Sequence, residues 1–354
     1  MDIKETLQHI SSINASDLFI VAGRPLSYRK NHQLICENDQ ILMPDDTRQL
    51  IDGIYELAGN RSMYALKETG DDDFSFALPG ISRFRVNTYK QRGSYAAVIR
   101  VIAFTLPSPD VMHIPPNIIQ LGDYNKGLVL VTGPAGSGKS TTLACIIDHI
   151  NENYSKHIIT LEDPLEYLHR HKKSIVSQRE ITTDTESYVS ALRAALRQSP
   201  DVILLGEMRD YETIQVAITA AETGHLIFST LHTIGAANTI DRIIDVFPAN
   251  QQSQIAVQLS MTLRAVISQQ FVPDVDGNLL PAFEIMTMTP ALRNMIRDNK
   301  IPQIDGMLYS ASGNMASGML SMDNCLMDYC KRGLITKETA LAYATNPDML
   351  SKRI

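Results

Sequence analysis

The amino-acid sequence predicts an α/β protein in which a small α+β domain precedes a larger domain built on a mostly parallel sheet. Three observations carry this prediction. Residues 1–103 combine helical segments with an antiparallel meander, residues 104–117 are rich in proline, and buried strands alternate with helices from residue 118 onward. Parallel neighbours need crossover connections, which helices usually supply. We therefore predict domains at residues 1–103 and 118–354, with a linker between them.

The N-terminal segment has the pattern of a helix followed by short strands. Apolar residues near its start have helical spacing, and three later segments alternate between apolar and polar residues, with turns at Pro79-Gly80 and Gly93. The aspartate run at 71–73 is interpreted as a solvated loop. The alternating segments are residues 74–78, 82–89 and 95–101.

The segment GLVLVTGPAGSGKSTT at residues 127–142 is the most informative part of the chain. An apolar strand leads into a glycine-broken loop, and Lys139-Ser140 opens a helical pattern. This is G-x-x-x-x-G-K-[ST] in the strand–loop–helix setting of a phosphate-binding loop, which disfavours an ordinary glycine turn. Glycines let backbone N–H groups converge on phosphate oxygens. The predicted nucleotide-binding residues are Gly133, Pro134, Ala135, Gly136, Ser137, Gly138, Lys139, Ser140 and Thr141.

Two residues of this loop have distinct predicted roles. The ammonium group of Lys139 can reach the β- and γ-phosphates, and the hydroxyl of Ser140 can hold Mg²⁺. The N-terminus of the following helix adds a partial positive charge. The expected ligands are therefore ATP and Mg²⁺.

Polar clusters follow three further predicted strands. Glu162 and Asp163 follow the second strand, Glu207 follows the third, and His232 follows the fourth. Ligands of parallel sheets bind beyond the carboxyl ends of the strands, so these side chains are expected beside the loop. The three carboxylates are candidates for positioning the attacking water or contacting the metal. Gly206 occupies the usual Walker B aspartate position, which leaves Glu207 alone there.

Other interpretations of these residues stay open. Glu207 can cap the next helix, and Asp163 can belong to an Asp-Pro turn. His225 and His232 bracket the fourth strand, and their seven-residue spacing places them on opposite faces, which speaks against a chelating pair. One histidine near the γ-phosphate can sense or polarise it, whereas the alternative is a structural role for both.

Three arginines in the first domain are candidates for neutralising charge in the transition state. Arg83 and Arg85 share one face of a predicted strand, and Arg100 belongs to the next strand. They form either a solvated face or an arginine finger that reaches a neighbouring subunit's nucleotide.

Composition limits the classes of partner. The net charge of −7 and the pI near 5.7 disfavour a nucleic-acid surface and electrostatic docking on an anionic membrane. No apolar stretch approaches the roughly 20 residues of a membrane span, and the N-terminus does not have the pattern of a signal peptide. The four cysteines lack C-x-x-C spacing. A cytoplasmic location is expected.

Four motifs also resemble the type II/type IV secretion ATPase superfamily in order and spacing. GPAGSGKSTT, TLEDPLEYLH, GEMRDYET and AAETGHLIFSTLHT resemble its Walker A, Asp, Walker B and His boxes, and RFRVN and ALRNMIRDNKIPQ resemble its type IV pilus retraction branch. The resemblance implies PAS-like and RecA-like domains in a homo-hexamer with ATP between subunits. It also implies a motor peripheral to the inner face of the cytoplasmic membrane, acting with a platform protein and other pilus machinery. The matching site positions are Lys139, Glu162, Asp163, Glu207, His225, His232, Arg83, Arg85 and Arg100.

Three alternatives accompany this prediction. Pilus-assembly and type II secretion ATPases usually carry a longer N-terminal region and a four-cysteine zinc insertion, neither of which occurs here. A RecA-like nucleic-acid translocase needs a basic, aromatic surface. A nucleotide switch without motor output would not turn over steadily.

Residues 234–354 are predicted to be largely helical. Within them, ALRNMIR at 291–297 is interpreted either as an output helix or as a core helix.

Overall fold

The structure is a computed structural model that describes residues 2–30, 33–102, 106–311 and 318–354. The chain divides into two compact units, residues 1–105 with 165–168 and residues 106–164 with 169–354. Residues 104 and 105 of the predicted linker lie outside the described part of the chain.

The first unit contains an antiparallel sheet. Over the described residues the sheet has six strands in the order β3-β2-β1-β6-β5-β4. Its helices are α1 (Ile3–Ser12), α2 (Pro44–Leu57) and α3 (Tyr64–Glu68), and its strands are β1 (Asp17–Ile20), β2 (Pro25–Lys30), β3 (Gln33–Ile41), β4 (Asp71–Leu78), β5 (Ser82–Gln91) and β6 (Ser94–Ile102).

Alternation along β5 sets the two faces of this sheet. Phe84 and Val86 are buried in the core, and Arg83 and Arg85, which alternate with them, lie on the opposite face. The predicted meander at residues 74–101 therefore corresponds to the hairpins β4–β5 and β5–β6.

The interpretation of residues 71–73 as a solvated loop was wrong. These aspartates begin β4, and Asp72 is buried. Its carboxylate accepts hydrogen bonds from the guanidinium of Arg61 at 2.9 and 3.1 Å and from the hydroxyl of Tyr55 at 2.9 Å. A paired carboxylate can be buried where an unpaired one cannot, and the sequence does not display these distant partners.

The second unit is built on a larger sheet flanked by helices. Its helices are α4 (Pro116–Ile119), α5 (Lys139–Asn153), α6 (Tyr188–Ala195), α7 (Tyr211–Glu222), α8 (Ala236–Asp245), α9 (Ala249–Thr262), α10 (Pro290–Arg297), α11 (Ile304–Ala311), α12 (Met322–Lys331), α13 (Lys337–Tyr343) and α14 (Pro347–Ser351), and short 3-10 turns lie at Gln120–Asp123 and Ile301–Gln303. Its strands are β7 (Gly127–Thr132), β8 (His157–Glu162), β9 (Ile175–Glu180), β10 (Val202–Leu205), β11 (Leu226–Leu231), β12 (Leu263–Pro273) and β13 (Leu279–Thr287).

The larger sheet is parallel except at one edge. Its strand order over the described residues is β13-β12-β7-β11-β10-β8-β9, and only β13 runs antiparallel to its neighbour. The α/β fold class is thus confirmed, with a parallel-rich sheet following an antiparallel one. Because β7, β11, β10 and β8 are parallel neighbours, their carboxyl ends lie at the same edge of the sheet, across the strand direction, and the segments that follow them begin there.

The prediction of a largely helical segment after residue 234 was wrong in part. Strands β12 and β13 lie within it and form the long antiparallel pair next to the phosphate-binding strand. In β12, Ser268 to Gln270 interrupt the apolar run, so the sequence there lacks the continuous apolar signature of a buried strand. Among the described residues, no helix is both long enough and apolar enough to cross a membrane.

Helix α10 contains the ALRNMIR motif and packs on α9. Leu292 and Ile296 are fully buried in the main core, whereas Arg297 is exposed. The guanidinium of Arg293 donates to the carbonyls of Ser260 and Met261 in the last turn of α9. The motif therefore builds a core helix that also caps the end of its neighbour.

Leu292→Ala should lower the free energy of unfolding by about 2–5 kcal/mol, because it leaves a cavity under α10. Arg297→Ala is the matched control on the exposed face and should change stability by less than about 0.5 kcal/mol. Chemical denaturation followed by circular dichroism measures both values. A small loss for Leu292→Ala would contradict the core assignment and return the motif to the output interpretation.

Candidate active site

The phosphate-binding loop lies directly against β12. Gly133 has φ of +140°, and a Cβ atom there would lie 2.0 Å from the backbone oxygen of Gln269. Gly138 has φ of +86°, and its Cβ would lie 3.1 Å from the side-chain nitrogen of Gln269 and 3.3 Å from the Phe271 ring. Glycine is therefore required at both positions, by backbone conformation and by the close approach of β12.

Helix α5 begins directly after this loop. Gly138 occupies its N-cap position in the left-handed region and has no side chain to cap the first amides, so this end of α5 can bind an anion. The ammonium group of Lys139 is buried and donates to the carbonyls of Gly133 and Pro134, both at 2.9 Å. Backbone carbonyls at the start of the loop thus hold the Lys139 ammonium group against the loop.

Gln269 contacts the loop and was not identified from the sequence. Its Nε2 donates to the carbonyl of Ser137 at 2.5 Å, and its Oε1 accepts from the hydroxyl of Thr142 at 2.8 Å. The residue belongs to β12, 132 positions after Ser137. Because residues 234–354 were predicted to be largely helical, Gln269 was not expected beside the phosphate-binding loop.

Strands β8 and β10 bring two of the predicted carboxylates to neighbouring positions. Leu161 pairs with Leu205, and the N–H of Gly206 donates to the carbonyl of Leu161 at 2.8 Å. Glu162 ends β8, and Glu207 comes shortly after the adjacent strand β10. Both residues therefore lie at the carboxyl ends of the strands, where the phosphate-binding loop also begins. Asp163 comes next and is exposed.

The structure explains the glycine at position 206. A Cβ atom there would lie 2.9 Å from the Tyr188 hydroxyl, 3.3 Å from the Leu161 carbonyl oxygen and 3.4 Å from the Glu162 Cα. An aspartate at this position would displace one of these groups. Tyr188 and the end of β8 thus leave little room for a side chain at position 206.

Tyr188 is a second residue that sequence reasoning did not single out. It begins α6, and its phenol lies among the carboxylates of the site. Burial and the charges of Glu207, Asp163 and Glu162 raise the pKa of this phenol above its ordinary value. The hydroxyl also lies close to Gly206, where a Cβ atom would come within 2.9 Å of it.

Glu207 and His232 come together at the edge of the sheet. The Glu207 carboxylate lies 3.4 Å from Nε2 of His232 and 2.7 Å from Nε of Arg209. Glu207 is mostly buried, whereas His232 is half exposed. The hydroxyl of Thr230 donates to the Gly206 carbonyl at 2.6 Å and fixes the turn that carries Glu207. These residues border a cavity of about 440 Å³.

The structure does not place His225 in this group. His225 precedes β11, and its carbonyl accepts from the N–H of Gly127 at the start of β7. Its Nδ1 lies 3.0 Å from the Ala220 carbonyl oxygen at the end of α7. The six residues of β11 separate the two histidines by roughly 20 Å of extended chain. Within one chain His225 therefore lies at the opposite end of β11 from His232, and the catalytic role expected for it stays a prediction.

The three predicted arginines belong to the first unit. Arg85 and Arg100 face each other across β5 and β6, and each is already held by a carboxylate. Two guanidinium nitrogens of Arg85 donate to Asp73 at 2.8 and 3.2 Å, and Nε of Arg100 donates to Asp17 at 3.2 Å. Arg83 lies two residues before Arg85 on the same face of β5. The face therefore carries alternating opposite charges around a cavity of about 230 Å³.

The chain is similar to proteins of one family over most of its length. The family model for type II/IV secretion system proteins matches residues 1–288. A Pseudomonas aeruginosa protein named type IV pilus retractation ATPase PilT is 44% identical over 349 residues, covering 98% of this chain and 99% of that protein. A Neisseria gonorrhoeae protein named twitching motility protein is 50% identical over 280 residues, covering 79% and 74% of the two chains.

A solved structure is similar over the whole fold. The crystal structure of the pilus retraction motor PilT with bound ADP gives a TM-score of 0.89 at 43% identity, and the match covers 99% of each chain. Sequence and fold thus agree over both units and over the segment that carries the phosphate-binding loop. The chain belongs to the type II/IV secretion system protein family.

Proposed function

We propose that this chain is the ATP-hydrolysing motor that powers type IV pilus retraction, working as a homo-hexamer at the cytoplasmic face of the inner membrane. The observation that carries the proposal is the near full-length similarity to a pilus retraction ATPase, which covers 98% of this chain and 99% of that protein. The pilus machinery and its inner-membrane platform protein are the proposed partners.

Nucleotide binding is assigned to the loop between β7 and α5. The left-handed glycines and the uncapped start of α5 direct backbone N–H groups toward a polyphosphate. Lys139 would exchange the carbonyls of Gly133 and Pro134 for phosphate oxygens, which gains a charge-assisted contact. This part of the site binds the ligand and neutralises its charge.

The residues beside the loop also fit Mg²⁺ by their chemistry. Ser140 offers a hydroxyl in the first turn of α5, and Glu162 and Asp163 offer carboxylates at the end of β8. Oxygen donors of this kind suit Mg²⁺, which also keeps several waters and phosphate oxygens in its shell. When bound, the ion supplies positive charge to the β- and γ-phosphate oxygens.

Glu207 is the proposed residue for orienting the attacking water. It is mostly buried, and Nε of Arg209 and Nε2 of His232 both approach one of its carboxylate oxygens, Oε2. A fixed acceptor at the rim of a cavity has the arrangement that water positioning needs. His232 is assigned to orienting Glu207, and Glu162 remains the second candidate for the same role.

The arginine-bearing face of the first unit is proposed to act across a subunit boundary. Arg83, Arg85 and Arg100 share this face and therefore present three guanidinium groups together. A hexamer with nucleotide between subunits would bring such a face to a neighbour's phosphates, where an arginine stabilises the charge that develops on transfer.

Lys139→Ala should abolish tight ATP binding in the purified protein while leaving it folded, because backbone N–H groups alone then carry the phosphate charge. Lys156→Ala is the matched control, because that lysine follows the C-terminal end of α5, whereas Lys139 begins the helix. The ammonium group of Lys156 lies over the Tyr154 ring, 5.0 Å from the ring centre. Fluorescent-nucleotide titration measures binding.

The same pair of variants tests the cellular function. In a strain lacking this gene, the wild type and Lys156→Ala should restore twitching motility, whereas Lys139→Ala should leave the cells non-motile and hyperpiliated. A deletion strain without any surface pili would contradict retraction and point to pilus assembly.

Glu207→Gln should keep nucleotide binding and slow hydrolysis by about 10²–10⁴-fold, because the isosteric amide cannot act as a base toward water. Glu212→Gln, on the exposed first turn of α7, is the control and should hydrolyse normally. Phosphate release under saturating ATP measures the rate. Normal hydrolysis by Glu207→Gln together with loss in Glu162→Gln would transfer the role to Glu162.

Arg85→Ala and Lys139→Ala subunits should complement each other. A mixed ring contains interfaces in which one subunit supplies an intact arginine face and the other an intact phosphate-binding loop. ATPase activity of mixtures should therefore exceed the weighted sum of the two inactive proteins. Mixed rings that form but show no recovered activity at any ratio would favour the solvated-face interpretation.

A further inference from the structure

We propose that Gln269 is a positioning residue of the nucleotide site, which holds the phosphate-binding loop in its binding conformation and thereby sets nucleotide affinity. The inference rests on the proposed nucleotide site and adds a residue outside the four motifs. Gln269 lies in β12 and is buried, with 2% of the residue exposed.

One residue contacts the loop at its start, its middle and its end. The backbone oxygen of Gln269 packs against Gly133, where a Cβ atom would come within 2.0 Å. Its side-chain amide bridges the carbonyl of Ser137 and the hydroxyl of Thr142. These contacts connect the entry to the loop, the peptide before Gly138 and the first turn of α5.

The chemistry of these partners sets the orientation of the amide. The Ser137 carbonyl can only accept a hydrogen bond, so the Nε2 group of Gln269 must face it. The Oε1 atom then faces Thr142, whose hydroxyl donates at 2.8 Å. Thr142 therefore helps to keep the glutamine amide in the orientation that holds the loop.

Holding the Ser137 carbonyl also sets the direction of a backbone donor. The carbonyl of Ser137 and the N–H of Gly138 belong to one trans peptide and point in opposite directions. Because the carbonyl points toward Gln269, the N–H of Gly138 points away from it. This N–H belongs to the set of donors that such loops offer to phosphate oxygens. Gln269 thus fixes the direction of this donor through the backbone of the loop.

The neighbouring residue provides a matched control. Gln270 is turned to the other side of β12 and donates to the carbonyl of Tyr343 at 3.0 Å. It has the same side chain in the same strand and contacts a different part of the unit. A general effect of replacing glutamine in β12 would appear in both variants.

Gln269→Met keeps the size of the side chain and removes both hydrogen bonds. The Kd for ADP and the KM for ATP should each rise about tenfold, because two buried polar groups lose their partners and the loop loses its fixed conformation. The kcat should change by less than about threefold, since Glu162 and Glu207, the candidates for orienting the water, lie at the ends of β8 and β10 and not on β12. Gln270→Met should leave Kd and KM unchanged.

Thr142 supplies a second, independent test. Thr142→Val should raise the Kd for ADP, whereas Thr142→Ser retains the hydroxyl and should restore near-wild-type binding. In the double variant with Gln269→Met, Thr142→Val should add little, because the bond that it removes is already absent.

Fluorescent-ADP titration and ATPase kinetics of the full chain measure these values, and thermal unfolding without nucleotide reports stability. A lower Tm for Gln269→Met with unchanged Kd and KM would overturn the proposal, since the glutamine would then be only structural. If that variant does not fold, an unchanged Kd for Thr142→Val would overturn it in the same way. A wild-type chain that binds no ADP would refute the proposed function instead.

Discussion

The parallel pairing of β7, β11, β10 and β8 is the constraint on which the candidate site depends. Pairing in this direction places the phosphate-binding loop, Glu162, Glu207 and His232 at one edge of the sheet, although they are far apart in the chain. The same constraint places His225, which precedes its strand, at the other edge. His225 and His232 belong to one sequence motif, but they lie at opposite ends of β11.

Much of this edge is predictable from the sequence because its signals are local. The strand–loop–helix around Lys139 and the carboxylates after apolar strands need only neighbouring residues to be recognised. Gln269 and Tyr188 are different, because their importance lies in contacts with residues distant in the chain. Asp72 shows the same limit, since its burial depends on Arg61 and Tyr55.

The two sides of the site are built by the same means. On the loop side, Gly133 and Gly138 have no side chains, so β12 approaches closely and Gln269 bonds to the backbone. On the carboxylate side, Gly206 leaves room for the phenol of Tyr188. In both places a glycine admits a larger side chain from another element. The shape of the site is therefore set by long-range packing around short local motifs.

The charge pairs on the arginine face of the first unit have a further consequence. Two guanidinium nitrogens of Arg85 donate to the carboxylate of Asp73, and Nε of Arg100 donates to Asp17. A guanidinium recruited from this face to any anion must first leave its aspartate, so one ion pair is exchanged for another. The net gain is therefore smaller than that from recruiting an unpaired guanidinium. An arginine contact formed by such an exchange can break as easily as it forms. A protein that repeats a cycle needs contacts of this kind.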